Sequence, residues 1–254
     1  MGPEMQVDLP FALTAMQGLF LAAALFFAAV IRGYSGFGFS AIFIVIASMV
    51  TNPLPLIPVV FTCEIAMTAF QARGIRALID WHRAIALLVG AAIAVIPAVA
   101  LMARIEPTHA RMVVSALILL LSLILLSGWQ LRRPIGALGH AGVGILSGTA
   151  NAAGVGGLPT AAFLSAQAMP PAAFRATMIV FLTGIDLMAL PTMSAHGLVT
   201  SETAWAAIMA FPILALGVWC GSRGFARARP DGFRQKVVIL LATLATISLI
   251  RAMF

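Results

Sequence analysis

The sequence predicts an all-α, polytopic membrane protein built from two inverted repeats, each of about five helical segments. Three observations support this fold class. Hydrophobic residues make up 62% of the 254 residues and charged residues only 9%, with a mean hydropathy of +1.07, whereas soluble domains average about 25% charged residues. The apolar residues form runs of the length that crosses a bilayer. The order of short and long runs then repeats once along the chain.

Charge and cysteine content exclude several classes of function. The net charge of +7 comes from basic residues between apolar runs, where they set membrane topology and meet anionic head groups. We therefore expect a lipid bilayer, and no nucleic acid, as a partner. The two cysteines, Cys63 and Cys220, lie inside apolar runs and predict neither a redox pair nor a metal site. The first ten residues contain no Lys or Arg, so we expect the first run to be retained as a span.

Ten helical segments follow from the lengths of the apolar runs and from their proline and polar breaks. They cover about 11–32, 37–50, 55–72, 84–103 and 110–130 in the first half, and about 137–149, 158–168, 172–193, 203–222 and 233–254 in the second half. Two glycine-rich stretches, 32–40 and 151–159, interrupt the apolar sequence early in each half. The segments beside them are short, which predicts a broken or re-entrant helix pair. Such backbone is tolerated in a membrane only where protein covers it or where it lines a water-filled cavity.

The two halves, residues 1–130 and 131–254, are predicted to be repeats within a single membrane domain. The Gly-Phe-Gly sequence at 36–38 lies 118 residues before the Gly-Val-Gly sequence at 154–156. Pro53 likewise lies 118 residues before Pro171. Because the matching features occur in the same order, a duplication explains them better than chance does.

Loop charge predicts that the repeats are inverted. Residues 73–83 carry a net charge of +2, while the equivalent residues 194–203 carry −1. Lys and Arg mark the cytoplasmic side of short loops, so equivalent turns face opposite sides of the membrane. We expect a multi-pass protein of the bacterial inner membrane with both termini in the periplasm. Inverted repeats with broken helices that meet near the midplane are typical of secondary transporters.

The two glycine-rich stretches are the predicted binding site for a small anion. In an inverted pair they enter from opposite sides, so half-helix N-termini can present free N–H groups and positive dipole ends to a ligand. Arg32 adds a fixed positive charge, and nearby hydroxyl and amide groups add donors. The predicted binding residues are Arg32, Gly33, Tyr34, Ser35, Gly36, Gly38, Ser40, Asn151, Gly154, Gly156, Gly157, Thr160 and Arg175.

An alternative is that the glycines serve only close packing between helices, as small residues commonly do in membranes. We prefer this interpretation for Gly142, Gly144 and Gly148, which are spaced like a packing face. For Arg175 the alternative is a side chain that reaches to the membrane interface.

Two carboxylates, Glu64 and Asp186, lie near the middle of the third segment of their repeats. An ionisable group at that depth indicates function, and burial lets a carboxyl group change its protonation near neutral pH. We therefore predict that both couple transport to protons or to another ion. The alternative is a structural role, such as an ion pair or hydrogen bond between Asp186 and Arg175 or Arg32.

The motifs of common enzymes do not occur in the sequence. There is no nucleophile–base arrangement, no GxxxxGK phosphate-binding loop and no HExxH motif. We expect no enzyme activity, no cofactor and no metal site.

With these features in place, the chain resembles the sulfite exporter TauE/SafE family of membrane transporters. The resemblance rests on the glycine-rich stretches at 33–38 and 151–157, on Arg175-Ala176-Thr177 at the start of a later segment, and on the duplicated layout. It covers nearly the whole chain and implies export or uptake of sulfur-containing anions. The first stretch is less dense in glycine than is usual in the family. Its aromatic residues, Tyr34, Phe37 and Phe39, are expected to narrow or line the pocket.

The residues and the resemblance together predict a secondary transporter of small sulfur-containing anions, such as sulfite and organosulfonates including sulfoacetate. We expect alternating access across the inner membrane and export coupled to protons or another ion. Two alternatives stay open, a passive small-anion channel and a membrane scaffold subunit without a substrate. Whether the chain forms a homodimer also stays open.

Overall fold

The computed structural model describes residues 9–72, 74–103, 135–167 and 169–227, with isolated positions at 116, 119, 120, 123 and 246. Within these residues it consists of eight α-helices and contains no strand. The helices are α1 (Ala15–Ser35), α2 (Phe39–Ala47), α3 (Ile57–Gln71), α4 (Trp81–Met102), α5 (Ala137–Asn151), α6 (Gly157–Ser165), α7 (Pro171–Ala195) and α8 (Ser201–Arg227). Apart from the isolated positions, the predicted segments at 110–130 and 233–254 lie outside the described residues.

Five helical stretches are long and apolar enough to cross a membrane. They are Ala15–Ser35, Leu54–Gln71, Trp81–Met102, Pro171–Ala195 and Ser201–Arg227. Their outward faces carry large apolar side chains such as Leu19, Ile93 and Ile208, each more than 60% exposed. A surface of this kind suits lipid rather than water, so the prediction of an all-helical, multi-pass membrane protein is confirmed.

Helix α1 begins and ends at strong local signals. The Thr14 hydroxyl accepts a hydrogen bond from the backbone N–H of Gln17 at 3.3 Å, and the Gln17 side chain accepts one from the backbone N–H of Thr14 at 3.0 Å, which completes a capping box. At the other end, Gly36 adopts a φ of +84° and Gly38 a φ of +89°. This left-handed conformation is readily accessible only to glycine, so the chain turns here and α2 starts afresh at Phe39.

The second half repeats this arrangement after α5. Gly154 adopts a φ of +75°, and α6 starts three residues later at Gly157. Both α2 and α6 contain nine residues, which rise only about 14 Å at 1.5 Å per residue. A bilayer core is about 30 Å thick, so neither helix can cross it alone.

Glycine lets two helix pairs approach closely, α4 with α5 and α1 with α8. A Cβ atom at Gly144 would overlap the carbonyl of Leu87, and one at Gly148 would lie 2.8 Å from the carbonyl of Ala91. The prediction that these two glycines serve packing is confirmed. For Gly142 the described part of the chain shows no such contact, since a Cβ atom there would meet nothing within 4 Å.

Helices α3 and α7 pack against each other, and each also contacts a helix of the other half, α8 or α4 respectively. Their facing surfaces contribute much of the apolar core, including the fully buried Phe61 and Phe181. Phe37 and Phe39, from the first glycine-rich stretch, are also fully buried. Both predicted intramembrane carboxylates, Glu64 of α3 and Asp186 of α7, therefore lie inside the protein.

Candidate functional site

The N-termini of α2 and α6 face each other across a narrow gap. The gap is lined by Gly38, Ser40, Ala41, Val155, Gly157 and Leu158. Its space is about 150 Å³ including the open side, but no water-sized sphere fits between the walls. Neither helix has a side-chain cap, and the N–H groups of a first helical turn have no partner within the helix. In α6, however, the N–H of Leu158 donates to the carbonyl of Val155 at 3.1 Å and Pro159 has no N–H, so Gly157 and Thr160 supply the remaining first-turn N–H groups. The two positive dipole ends thus point toward one small space.

Buried hydroxyl groups lie at the walls of this gap. The hydroxyls of Ser147 and Thr160 are 2.7 Å apart and fully buried, which ties α5 to α6. Ser40, in the first turn of α2, is 6% exposed. The hydroxyl of Ser35 is instead engaged with the carbonyl oxygens of Ile31 and Phe37, at 2.8 and 2.9 Å, so it stabilises the turn after α1.

A cluster of charged and polar side chains lies buried between α1, α3 and α7. Arg32, with no exposed surface, donates to the Glu64 carboxylate at 3.0 Å and to the Thr68 hydroxyl at 3.4 Å. The hydroxyls of Thr68 and Thr183 are 2.6 Å apart, which links α3 to α7. A cation at membrane depth is costly unless it is paired, and the ion pair with Glu64 meets that requirement.

The second carboxylate, Asp186, belongs to the same cluster. It is fully buried, and its Oδ1 atom accepts a hydrogen bond from the side-chain amide of Asn151 at 3.3 Å. It is near enough to Glu64 and Arg32 to interact electrostatically with both. Its Oδ2 atom and the Nε atom of Arg32 have no hydrogen-bond partner among the described residues. The sequence also suggests an ion pair or hydrogen bond of Asp186 with Arg175 or Arg32. In the structure, Arg32 forms its ion pair with Glu64 instead.

Asn151 connects this charge cluster to the glycine-rich stretch of the second half. Its amide nitrogen donates to Asp186, while its Oδ1 atom lies against Gly156. A Cβ atom at position 156 would come within 2.5 Å of that oxygen, so only glycine fits there. Asn151 is therefore the side chain that links Asp186 to the turn before α6.

A sequence model of the sulfite exporter TauE/SafE family matches residues 21–249. The chain belongs to this family. The match includes both glycine-rich stretches and every member of the buried cluster. No curated protein and no solved structure matches the chain. The predicted membership of the TauE/SafE family is confirmed, and with it the description as a membrane protein of a transporter family.

In this TauE/SafE protein, Arg175 binds the end of α1 rather than the gap. Its Nε and Nη2 atoms donate to the carbonyl of Gly33 at 3.2 and 2.7 Å, and Nη2 also donates to the Ser222 hydroxyl at 3.1 Å. Its guanidinium carbon lies 4.9 Å from the centre of the Phe225 ring. The guanidinium is thus held by contacts within the protein, at the end of α1 and on α8.

The remaining predicted residues fall into two groups. The first group, Gly33, Tyr34 and Gly36, lies near Arg175 or near helix α8, which Arg175 contacts. A Cβ atom at Gly36 would lie 2.9 Å from Arg175. The Tyr34 ring packs edge-on against the Phe225 ring, with 5.8 Å between the ring centres. Gly38, Ser40 and Gly157 line the gap, and Gly154, Gly156 and Thr160 lie beside it. In this second group, Gly38 and Ser40 lie at the start of α2, and the other four lie in α6 or in the turn before it.

Sequence reasoning missed the two threonines of the buried cluster. Thr68 follows Glu64 by four residues and Thr183 precedes Asp186 by three, so each lies on the same helix face as its carboxylate. That spacing is the signal that could have identified them. Among the described residues, no group of three or more His, Cys, Asp or Glu side chains is placed to hold a metal ion.

Proposed function

We propose that this TauE/SafE family protein is a secondary transporter that moves small sulfur-containing anions, such as sulfite and organosulfonates, across the bacterial inner membrane. The observation that carries the proposal is the pair of uncapped helix N-termini, α2 and α6, which face each other across one gap. The positive dipole ends of two helices that meet at one place favour an anion there. A sulfite or sulfonate group offers several oxygens that can accept from both helices.

Transport by alternating access fits the closed gap. The two half-helices meet closely at this gap, so that an anion must part them in order to pass. An anion can occupy this place only if the two half-helices separate. We infer that this conformation is occluded and that α2 and α6 move apart toward one side of the membrane at a time.

The helix contacts support the inverted repeat that alternating access requires. The pair α1–α8 corresponds to α5–α4 when the halves 1–130 and 131–254 are exchanged, and the pair α3–α8 corresponds to α7–α4. The contacts α3–α7 and α2–α6 correspond to themselves. This is the pattern expected of a pseudo-two-fold axis between the repeats. The distribution of charge between the loops indicates that the repeats are inverted and that both termini lie in the periplasm.

Coupling is assigned to the buried cluster. Glu64 and Asp186 are buried carboxylates that interact electrostatically, and Asn151 connects Asp186 to Gly156 in the turn before α6. We propose that a proton bound there biases the movement of the half-helices. Arg32 would then contribute by fixing the charge of this cluster, and Arg175, Gly33, Tyr34, Ser35 and Gly36 by holding the end of α1, rather than by touching the anion in this conformation.

The test is exchange of anions by the purified protein in liposomes. Vesicles loaded with sulfite or isethionate should accelerate uptake of the same labelled anion, as an alternating-access carrier does. Ser40→Ala should weaken the apparent affinity roughly 10- to 100-fold, since a hydrogen bond to a charged group contributes about 1.5–3 kcal/mol. Thr149→Ala is the matched control, because the exposed Thr149 hydroxyl only bonds the carbonyl of Ile145.

Three results would contradict the proposal. Flux that follows its gradient but is not accelerated by anion on the opposite side would indicate a channel. The absence of flux and of a thermal shift with sulfite, thiosulfate, sulfoacetate and isethionate would indicate a scaffold subunit. Equal transport of acetate and isethionate would remove the preference for sulfur-containing anions.

A further inference from the structure

The buried cluster contains one cation, Arg32, and two carboxyl groups, Glu64 and Asp186. We propose that Asp186 is the group that binds and releases the coupled proton, while Glu64 stays ionised as the permanent counter-ion of Arg32. This proposal rests on the proposed function, because a coupled proton has a role only in a transporter. It names both the coupling ion and its carrier.

Charge balance requires one proton in the cluster. Arg32, Glu64 and Asp186 are each at most 1% exposed. If both carboxyl groups were ionised, the cluster would carry one uncompensated negative charge away from water, which is strongly unfavourable. A single proton on either carboxyl group makes the cluster neutral.

Hydrogen bonding decides which carboxyl group takes the proton. Glu64 accepts a charge-assisted hydrogen bond from Arg32 at 3.0 Å, and such bonds favour the ionised form. Asp186 receives only a neutral amide N–H, from Asn151 at 3.3 Å, and its Oδ2 atom has no partner. A proton on Oδ2 would turn this unpaired acceptor into a donor, and the negative charge of the nearby Glu64 would stabilise that protonated form.

The groups that face Asp186 in the described residues are consistent with this assignment. Helix α3 contributes the negative Glu64, which disfavours a second negative charge, and α1 contributes the positive Arg32, which Glu64 already pairs. Helix α5 contributes the amide of Asn151, which does not titrate. The step itself is simple: the carboxylate takes up one proton from one side of the membrane and releases it to the other, with no other bond changed.

Protonation of Asp186 should help an anion bind in the gap. It removes the negative charge of Asp186, which accepts a hydrogen bond from the Asn151 amide. The Oδ1 atom of Asn151 in turn lies against Gly156, beside the gap. Because coupling between two binding events is reciprocal, anion binding should also favour the protonated form. The affinity for an anion that does not itself titrate should therefore fall as the pH rises.

The first test is a binding titration with isethionate, whose sulfonate stays ionised throughout the neutral range. The wild-type affinity should fall by roughly tenfold for each pH unit above the point where Asp186 loses its proton. Asp186→Asn, which mimics the neutral carboxyl group, should bind at every pH with the affinity of the protonated wild type. Glu202→Gln is the matched control, because Glu202 is an exposed carboxylate that accepts from the backbone N–H of Phe11, and its affinity should follow the wild type.

The second test uses transport in the same liposomes. A pH gradient should drive accumulation of isethionate by wild-type protein, up to roughly tenfold per pH unit for one proton per anion. Asp186→Asn should still exchange isethionate across the membrane but should no longer accumulate it. The proposal is overturned if Asp186→Asn retains accumulation driven by the pH gradient, or if a sodium gradient rather than a pH gradient drives the wild type.

A third measurement separates this proposal from the proposed function. Infrared difference spectra of the wild type and Asp186→Asn at neutral pH should show a protonated carboxyl band that the variant lacks. If the band is present and no sulfur-containing anion is moved, the proposed function fails while the proton site on Asp186 stands. If the two spectra show no such difference, the proton site is refuted even in an active transporter.

Discussion

Replacing Arg32 by methionine tests the electrostatic design of the buried cluster. Methionine keeps much of the apolar stem of arginine but removes the guanidinium that donates to Glu64 at 3.0 Å. Neither side chain has more than 1% of its surface exposed, so water cannot replace the lost partner. The folded variant must then hold Glu64 either as an unpaired buried anion or as a neutral acid.

The neutral acid has the lower free energy of the two, so the free energy needed to protonate Glu64 sets the size of the destabilisation. An ordinary glutamate has a pKa of about 4.3, so protonating it at pH 7 costs about 3.7 kcal/mol at 1.36 kcal/mol per pH unit. Breaking a buried ion pair by removing one partner costs about 3–5 kcal/mol, which agrees. For a protein of this size, a loss of that magnitude lowers the melting temperature by on the order of 10 °C.

The sign of the pH dependence follows from proton counting. In the folded variant Glu64 holds a proton, whereas in the unfolded chain it releases one above a pH of about 4.3. The folded state therefore binds more protons, and its stability falls as the pH rises, by about 1.4 kcal/mol per unit. Stability lost at neutral pH should return on acidification.

The assay is thermal unfolding of the purified protein in detergent at several pH values. The double variant Arg32→Met/Glu64→Gln is the control, because it removes both charges and should regain most of the stability at pH 7. The reasoning is refuted if Arg32→Met unfolds like the wild type at pH 7. It is also refuted if the loss is the same at acidic and neutral pH.

Two further predictions concern packing. Gly144→Leu should lower the melting temperature severely or prevent folding, because its side chain would overlap the Leu87 carbonyl. The control Gly142→Leu, with open space in the described structure, should unfold within a few degrees of the wild type. Equal effects of the two changes would contradict the α4–α5 contact. Arg175→Met should lower the free energy of unfolding by about 1.5–3 kcal/mol, because the carbonyl of Gly33 loses its charged donor. An unchanged melting temperature of this variant would show that the contact does not stabilise the protein.

Much of the fold could be predicted from the sequence because local signals determine where helices begin and end. The short segment after the first glycine-rich stretch, predicted over about 37–50, is a helix of nine residues that starts after Gly38. The third segment of the second half, predicted over about 172–193, runs from Pro171 to Ala195. Glycine with positive φ and proline at a first helical turn act within a few residues, so no tertiary information is needed to place them.

The partners within the site could not be predicted in the same way. Sequence spacing places Glu64 and Asp186 on helix faces, but it does not give the rotation of α3 against α7 or the depth of α1 between them. Those depend on packing contacts far apart in the chain, such as the hydrogen bond between the hydroxyls of Thr68 and Thr183. For this reason the sequence predicts Arg32 as an anion-binding residue, whereas in this conformation its guanidinium donates to Glu64.

The distribution of the cluster between the halves gives a further reason to assign the proton to Asp186. The ion pair of Arg32 with Glu64 lies within the first half, and the hydrogen bond of Asn151 with Asp186 lies within the second. The Thr68–Thr183 hydrogen bond and the electrostatic interaction of Asp186 with Glu64 and Arg32 join the two parts. If the halves move against each other, the costly ion pair stays intact while Asp186 exchanges its carboxylate neighbour for another environment. A movement of this kind would change the surroundings of Asp186 while Glu64 keeps its partner Arg32, as the proposed proton carrier and its counter-ion require.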